Sequence, residues 1–156
     1  MPAQSDEPLT FDDVAVGDTW ISPARTITEA DVVQFACLTG DFNPLHVDHE
    51  FARSTPFGQP IAHGLLGLSY VAGLGSHAPR MATLSFLKIL EWNFLKPIFF
   101  GDTVHVRTEI LAMEPKARGR RGEIIWQREL VNQTGDVVQM GRTLTLVAGR
   151  GKVSED

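Results

Sequence analysis

The chain has 156 residues, of which 43% are apolar, 21% charged and 8% aromatic. That length suits a single domain, large enough to bury a core without staples. The lone cysteine, Cys37, excludes a disulfide framework and any multi-cysteine metal knuckle, and fits a reducing compartment. Fourteen basic against nineteen acidic residues give a net charge of −5. The electrostatic footprint of a nucleic-acid or anionic-membrane binder is therefore absent, and neither is expected as a partner. The start of the chain shows no basic stretch followed by an apolar run, and no window reaches the ~18 apolar residues of a membrane span. A soluble, cytoplasmic protein is the expectation.

Residues 1–10 are polar with a proline and read as a flexible lead-in, residues 11–149 as the domain, and 150–156 as a flexible tail. A first strand is expected over GDTWISPART, residues 17–26, where β-branched and aromatic residues roughly alternate. Thr28, with Asp31 three residues on, resembles a capping box and opens a short amphipathic helix through Val32, Val33, Phe35, Ala36 and Leu38. Gly40 stops it. From Gly40 to Gly64 the chain is loop-like, broken by one turn of helix near His49–Arg53 that Asp48 caps. LLGLSYVAGL, residues 65–74, is apolar on nearly every face and predicts a core helix buried all round. Beyond Leu84 four segments alternate with period two: ILEWNFLKPI, DTVHVRTEILAM, EIIWQRELVN and VVQMGRTLTLV. The fold class is thus α+β, an antiparallel sheet bent round one apolar helix. An open sheet edge is a liability that pairing with a second copy would relieve.

The long loop carries the chemistry. Asp41 and His46 flank Asn43-Pro44, and the residue before a proline is pushed out of the helical region. An irregular or extended course between them can turn both side chains to one cavity. A carboxylate and an imidazole sharing a pocket can add or remove water across a double bond. His63-Gly64 then opens the apolar helix, whose first amides lack intrahelical partners and point outward at the positive end of the dipole. Gly64 N–H is a candidate oxyanion donor, and glycine there lets a carbonyl come close.

Blander readings stand beside these. Asp41 alone is a good Asx-turn former, and His46 alone a good packed histidine. Asp48 is assigned to capping, with His49 and Glu50 solvated on the short helix. Asn43 holds the loop through backbone groups, and His63 either caps it or lines the site. A metal site from His46, Asp48, His49 and Glu50 fails on spacing. Ser69 lies in a near-match to a nucleophile elbow, with Val71 where the second glycine belongs, so core packing suits it better. Asn132-Gln133-Thr134 fits a glycosylation pattern without any sign of secretion. Lys116, Arg118, Arg120 and Arg121 form a basic turn that reads as a solvated face or a grip for a ligand phosphate.

Gly40-Asp41-Phe42-Asn43-Pro44-Leu45-His46-Val47-Asp48, followed by Ala52, Phe57 and Ile61-Ala62-His63-Gly64-Leu65, resembles the hydratase-2 motif of MaoC-like dehydratases, which include (R)-specific enoyl-CoA hydratases. Phe94 to Val104 also looks like the strand and turn that follow that family's central helix. The likeness runs from about Phe11 to Val147. It implies a single hot-dog fold, dimerised so that two sheets join. It implies Asp41 and His46 as the catalytic dyad and Gly64 as carbonyl-oxygen donor. Asn43, His63 and Ser69 are then placed toward the substrate. Some bacterial members carry a serine later in the central helix, where this chain has Ala72, with Ser69 one turn earlier.

The implied activity is reversible hydration of trans-2-enoyl-CoA to (3R)-3-hydroxyacyl-CoA. The CoA thioester is substrate, with no metal or redox cofactor, and the expected assembly is a homodimer or larger. Alternatives are a hot-dog acyl-CoA thioesterase and a non-catalytic acyl-thioester-binding protein.

Overall fold

A computed structural model describes residues 7–151. The chain builds strands β1 (Thr19–Ile21) and β2 (Arg25–Thr26), and helices α1 (Glu29–Thr39), α2 (Pro44–Val47), α3 (His49–Arg53) and α4 (Gly64–Gly75). Strands β3 (Thr83–Phe94), β4 (Thr103–Lys116), β5 (Arg121–Val131) and β6 (Val137–Ala148) follow. All pairings between strands are antiparallel, in the order β1-β4-β5-β6-β3, with β2 also on β4. The sheet wraps α4 in the hot-dog arrangement.

The expected first strand is split in two. Pro23 cannot donate to a ladder, and Ser22 bridges the break: its N–H reaches Val106 O at 2.9 Å and its Oγ accepts from Val106 N at 2.8 Å. At the start of α1, Thr28 Oγ1 accepts from Asp31 N and Asp31 Oδ2 accepts from Thr28 N, so aspartate closes a full capping box despite its short side chain. Gly40 takes the left-handed conformation, φ 80°, that ends the helix. Tyr70 donates to Asp31 and joins α4 to α1; burial and then the Asp31 charge push its hydroxyl up to about 12, so it stays a donor.

Two apolar clusters fill the fold. Leu66, Tyr70 and Val71 of α4 pack on Val104, Val106, Leu130 and Val138 of the sheet. Phe11, Ile110, Ile124, Trp126 and Val147 form the second, where Gly122 leaves the space that the Phe11 ring occupies. Leu9 also bridges to Met81, and Arg150 N bonds Asp12 Oδ2 at 2.6 Å. Leu9, Thr10 and Arg150 are thus bonded to the rest of the domain. The remaining lead-in, residues 1–6, and tail, 152–156, lie outside the described residues.

Two further expectations are corrected. Strand β3 begins at Thr83 and ends at Phe94, because Leu95 N and Lys96 N both turn to Val138 O and Pro97 follows. Helix α4 is not buried all round: Leu66, Gly67, Tyr70 and Val71 face the sheet, but Leu65 is 61% exposed. Along β3, Leu84, Phe86, Leu87, Ile89 and Leu90 are exposed as well. One sheet covers only one side of a helix, and the apolar residues on the other side of α4 adjoin those of β3.

Candidate active site

Helix α1 delivers Asp41 one residue beyond its glycine stop, and the Asp41 Oδ1 accepts from Asn43 N at 3.2 Å. The chain does not stay irregular up to His46. Pro44 takes the first position of α2, where its missing N–H costs nothing, and Asn43 Oδ1 caps the turn by accepting from Leu45 N at 3.0 Å. Asn43 thus spends its carbonyl on the backbone, and His46 sits on a rigid turn. Asp48 Oδ1 accepts from Phe51 N and caps α3, as expected. His49 pairs with Glu29 at 2.7 Å and Glu50 with Arg53, both at the surface and away from the dyad.

Three side chains converge. Asp41 Oδ2 lies 4.0 Å from His46 Nε2 and 3.9 Å from His63 Nε2, with side-chain exposures of 53% for Asp41, 11% for His46 and 3% for His63. His46 Nδ1 bonds Ile61 O at 2.7 Å, and His63 Nε2 bonds Asp41 O at 2.9 Å. Ile61 N returns to Leu45 O, and Ala62 N bonds Ile98 O. The segment before α4 is therefore stitched to α2 on one side and to the stretch after β3 on the other. The sequence signal for Ile61 O was nil, since any residue supplies a carbonyl. His63 lines the site and fixes the Asp41 main chain; it occupies the N-cap position of α4 without a side-chain cap.

Gly64 N–H has no acceptor among the described residues. A Cβ at this position would stand 2.9 Å from the Phe94 ring. The following peptide is held from behind: Gln139 Nε2 donates to Gly64 O at 2.9 Å, and Trp92 Nε1 donates to Gln139 Oε1 at 3.1 Å. Sequence reasoning missed Gln139, although a glutamine inside an apolar alternation is a readable signal. A cavity of about 320 Å³ opens beside Gly64 between Phe57, Ile61, Phe94 and Leu95. Ser69 is exposed, not packed in the core; its Oγ donates to Leu65 O at 2.8 Å, and it lines cavities on both flanks of α4.

Asp41, His46 and His63 each offer a ligand atom within 4.8 Å of the others, a set different from the one weighed in the sequence. A carbonyl can only accept, so the Nε2 of His63 carries the proton it gives to Asp41 O and presents no lone pair to a cation there. A metal bound through that nitrogen would have to break this bond. The arrangement suits proton transfer better: one carboxylate, one imidazole nitrogen and one free amide at the rim of an apolar opening.

A MaoC-like domain model matches residues 14–127. The chain belongs to the MaoC-like dehydratase family. A 3-hydroxybutyryl-CoA dehydratase of Methylorubrum extorquens is 40% identical over 114 residues, 72% of this chain and 71% of that protein. An (R)-specific enoyl-CoA hydratase of Rhodospirillum rubrum is 31% identical over 142 residues, 90% of this chain and 93% of its own. The crystal structure of a MaoC-like dehydratase from the same organism superposes with a TM-score of 0.77 at 30% identity, covering 91% of this chain and 98% of that one. Among the described residues of this MaoC-like protein, no helix is long and apolar enough to cross a membrane.

Proposed function

We propose that this protein reversibly hydrates trans-2-enoyl-CoA thioesters to (3R)-3-hydroxyacyl-CoA. Membership of the MaoC-like dehydratases makes it a hydro-lyase; the substrate and the roles of Asp41, His46 and Gly64 are the proposal. The observation that carries it is the 4.0 Å separation of Asp41 Oδ2 and His46 Nε2. That distance is too long for a direct hydrogen bond, and it suits one water accepted by both at about 2.8 Å. The water oxygen attacks Cβ as its proton passes to the pair. A proton returns from the pair to Cα, so protons balance over the cycle. Both groups contact the same water, and the division into base and acid belongs to the pair. Gly64 N–H, at the positive end of α4, stabilises the enolate oxygen as it forms. Such a cycle uses only water and protons, so no metal or redox cofactor enters the proposal.

The 3R outcome rests on the likeness to (R)-specific hydratases. A homodimer is proposed because β3 and the outer side of α4 expose a continuous set of large apolar residues. The test is loss of enoyl absorbance when crotonyl-CoA is added, with free thiol measured in parallel. Absorbance loss without thiol supports hydration. Thiol release would favour the thioesterase reading, and tight binding without either change would favour a non-catalytic binder.

A further inference from the structure

Four buried polar side-chain atoms lack a hydrogen-bond partner among the described residues: His63 Nδ1, Thr108 Oγ1, Arg128 Nε and Thr143 Oγ1. The first belongs to the site above. The other three sit on adjacent strands far along α4. Thr108 stands directly across from Arg128, and Thr143 across from Trp126. The core-facing side of β5 reads Ile124, Trp126, Arg128, Leu130, so a cation occupies a position where the alternation calls for a hydrophobe.

No carboxylate pairs with Arg128 among the described residues, and burial alone pushes its guanidinium down to about 10. Burying a charge without a counter-ion is costly, and an apolar side chain of similar size would avoid the cost. The fold nevertheless holds it in place. Its Cζ lies 5.5 Å from the Trp126 ring centre, and a Cβ on Gly75 of α4 would fall 1.9 Å from Nη1, so a larger residue there would have to displace the guanidinium.

Arg128 and Thr143 line a cavity of about 510 Å³ between α4 and the sheet, whose walls are otherwise mostly apolar, through Leu65, Leu68, Phe86 and Ile89. The cavity begins at Leu65, beside Gly64. From Gly64 to the level of Gly75 is eleven helical residues, or about 16 Å; a hydrogen bond of about 3 Å at each end leaves about 10 Å, the reach of an extended chain of about ten carbons.

We infer that this cavity accepts an acyl chain ending in a carboxylate, which the Arg128 guanidinium grips. The inference rests on the hydratase reading, since it places the thioester carbonyl at Gly64. A terminal carboxylate supplies the missing counter-ion and acceptor, whereas a methyl end would leave the guanidinium buried and unpaired.

The experiment is calorimetric titration of the full chain with saturated CoA thioesters in matched pairs about ten carbons long, ending in carboxylate or in methyl. The carboxylate member should bind about 10- to 100-fold more tightly. Arg128→Met should abolish or reverse that ratio. Equal binding of the pair by the wild-type protein overturns the inference. So does an equal loss for both members in Arg128→Met, which would mark the guanidinium as structural or as paired with a carboxylate of a second copy. If Arg128→Met does not fold, the wild-type ratio decides alone. Titration needs no turnover, so the two readings fail separately. Preference for the carboxylate without hydration of any enoyl-CoA removes only the hydratase reading. Hydration of crotonyl-CoA without the preference removes only the carboxylate grip.

Discussion

The imidazoles of His46 and His63 lie face over face, with centroids 3.9 Å apart and planes 30° from parallel. Each gives a ring N–H to a main-chain carbonyl, His46 Nδ1 to Ile61 and His63 Nε2 to Asp41. Those bonds settle the tautomers. With its Nδ1 proton donated to Ile61 O, His46 presents Nε2 toward Asp41 Oδ2 at 4.0 Å. His63 spends its facing N–H on holding the Asp41 backbone still. Two histidines that look interchangeable in the sequence therefore have different work.

Asp41→Asn and His46→Gln keep shape and remove proton transfer. Each should lower hydratase kcat by roughly 10²–10⁴-fold with circular dichroism unchanged. Since both act on one water, the double variant should be little worse than the worse single one. Losses that multiply would mean independent roles, and near wild-type rates in folded single variants would end the catalytic reading of the loop.

Gly67→Ala tests the support behind Gly64. The new Cβ would stand 2.2 Å from Gln139 Nε2 and 2.8 Å from Ile98 Cδ1. Gln139 must then leave Gly64 O, and overpacking of this kind costs about 1–3 kcal/mol. Thermal unfolding should shift down by roughly 2–4 °C per kcal/mol for a domain of this size. An unchanged melting temperature would show that the contact relaxes freely.

Asp31→Asn gives a pH signature. Burial works to raise the Asp31 pKa, but the Thr28 hydrogen bonds, Tyr70 and Arg25 together hold it below 3.8. A carboxylate with a depressed folded pKa adds stability above its unfolded pKa and loses it as pH falls through the folded one. The variant should be less stable than wild type at pH 7, by an amount within the ~1 kcal/mol range of a capping group. The gap should close as pH drops below 4. Denaturant midpoints measured across that range check it; a gap constant with pH would assign the loss to packing.

Ultracentrifugation at micromolar concentration should give at least twice the chain mass. Ile89→Lys, in the exposed apolar row of β3, should weaken that association. A clean monomer for the wild-type protein would mean the apolar face is stable in water by itself.

Local rules written in the sequence decided a good deal. Thr28, Asp31 and Gly40 set both ends of α1, Asp48 caps α3, and period-two runs place β4, β5 and β6, because caps and alternation act over three or four residues. Asp41 and His46 were readable as one candidate pair, but five extended residues can span about 17 Å, and the turn that Asn43 caps is what brings them together. The turn at Pro44 was misread as irregular chain, because Asn-Pro is an N-cap followed by a first-turn proline as readily as a helix breaker.

Tertiary structure alone decided the rest. Ile61 O orients His46 from fifteen residues away, and Gln139 reaches Gly64 across 75. Neither partner has a local pattern, because the bond is set by how the sheet closes on α4. The exposure of Leu65 and of β3 has the same origin. Hydrophobicity states that a residue favours burial, and only the packed chain shows which surfaces one protomer has enough sheet to cover. Arg128 marks the boundary between the two kinds of information: alternation assigns it to the inner face, and only the fold shows that no described carboxylate meets it there.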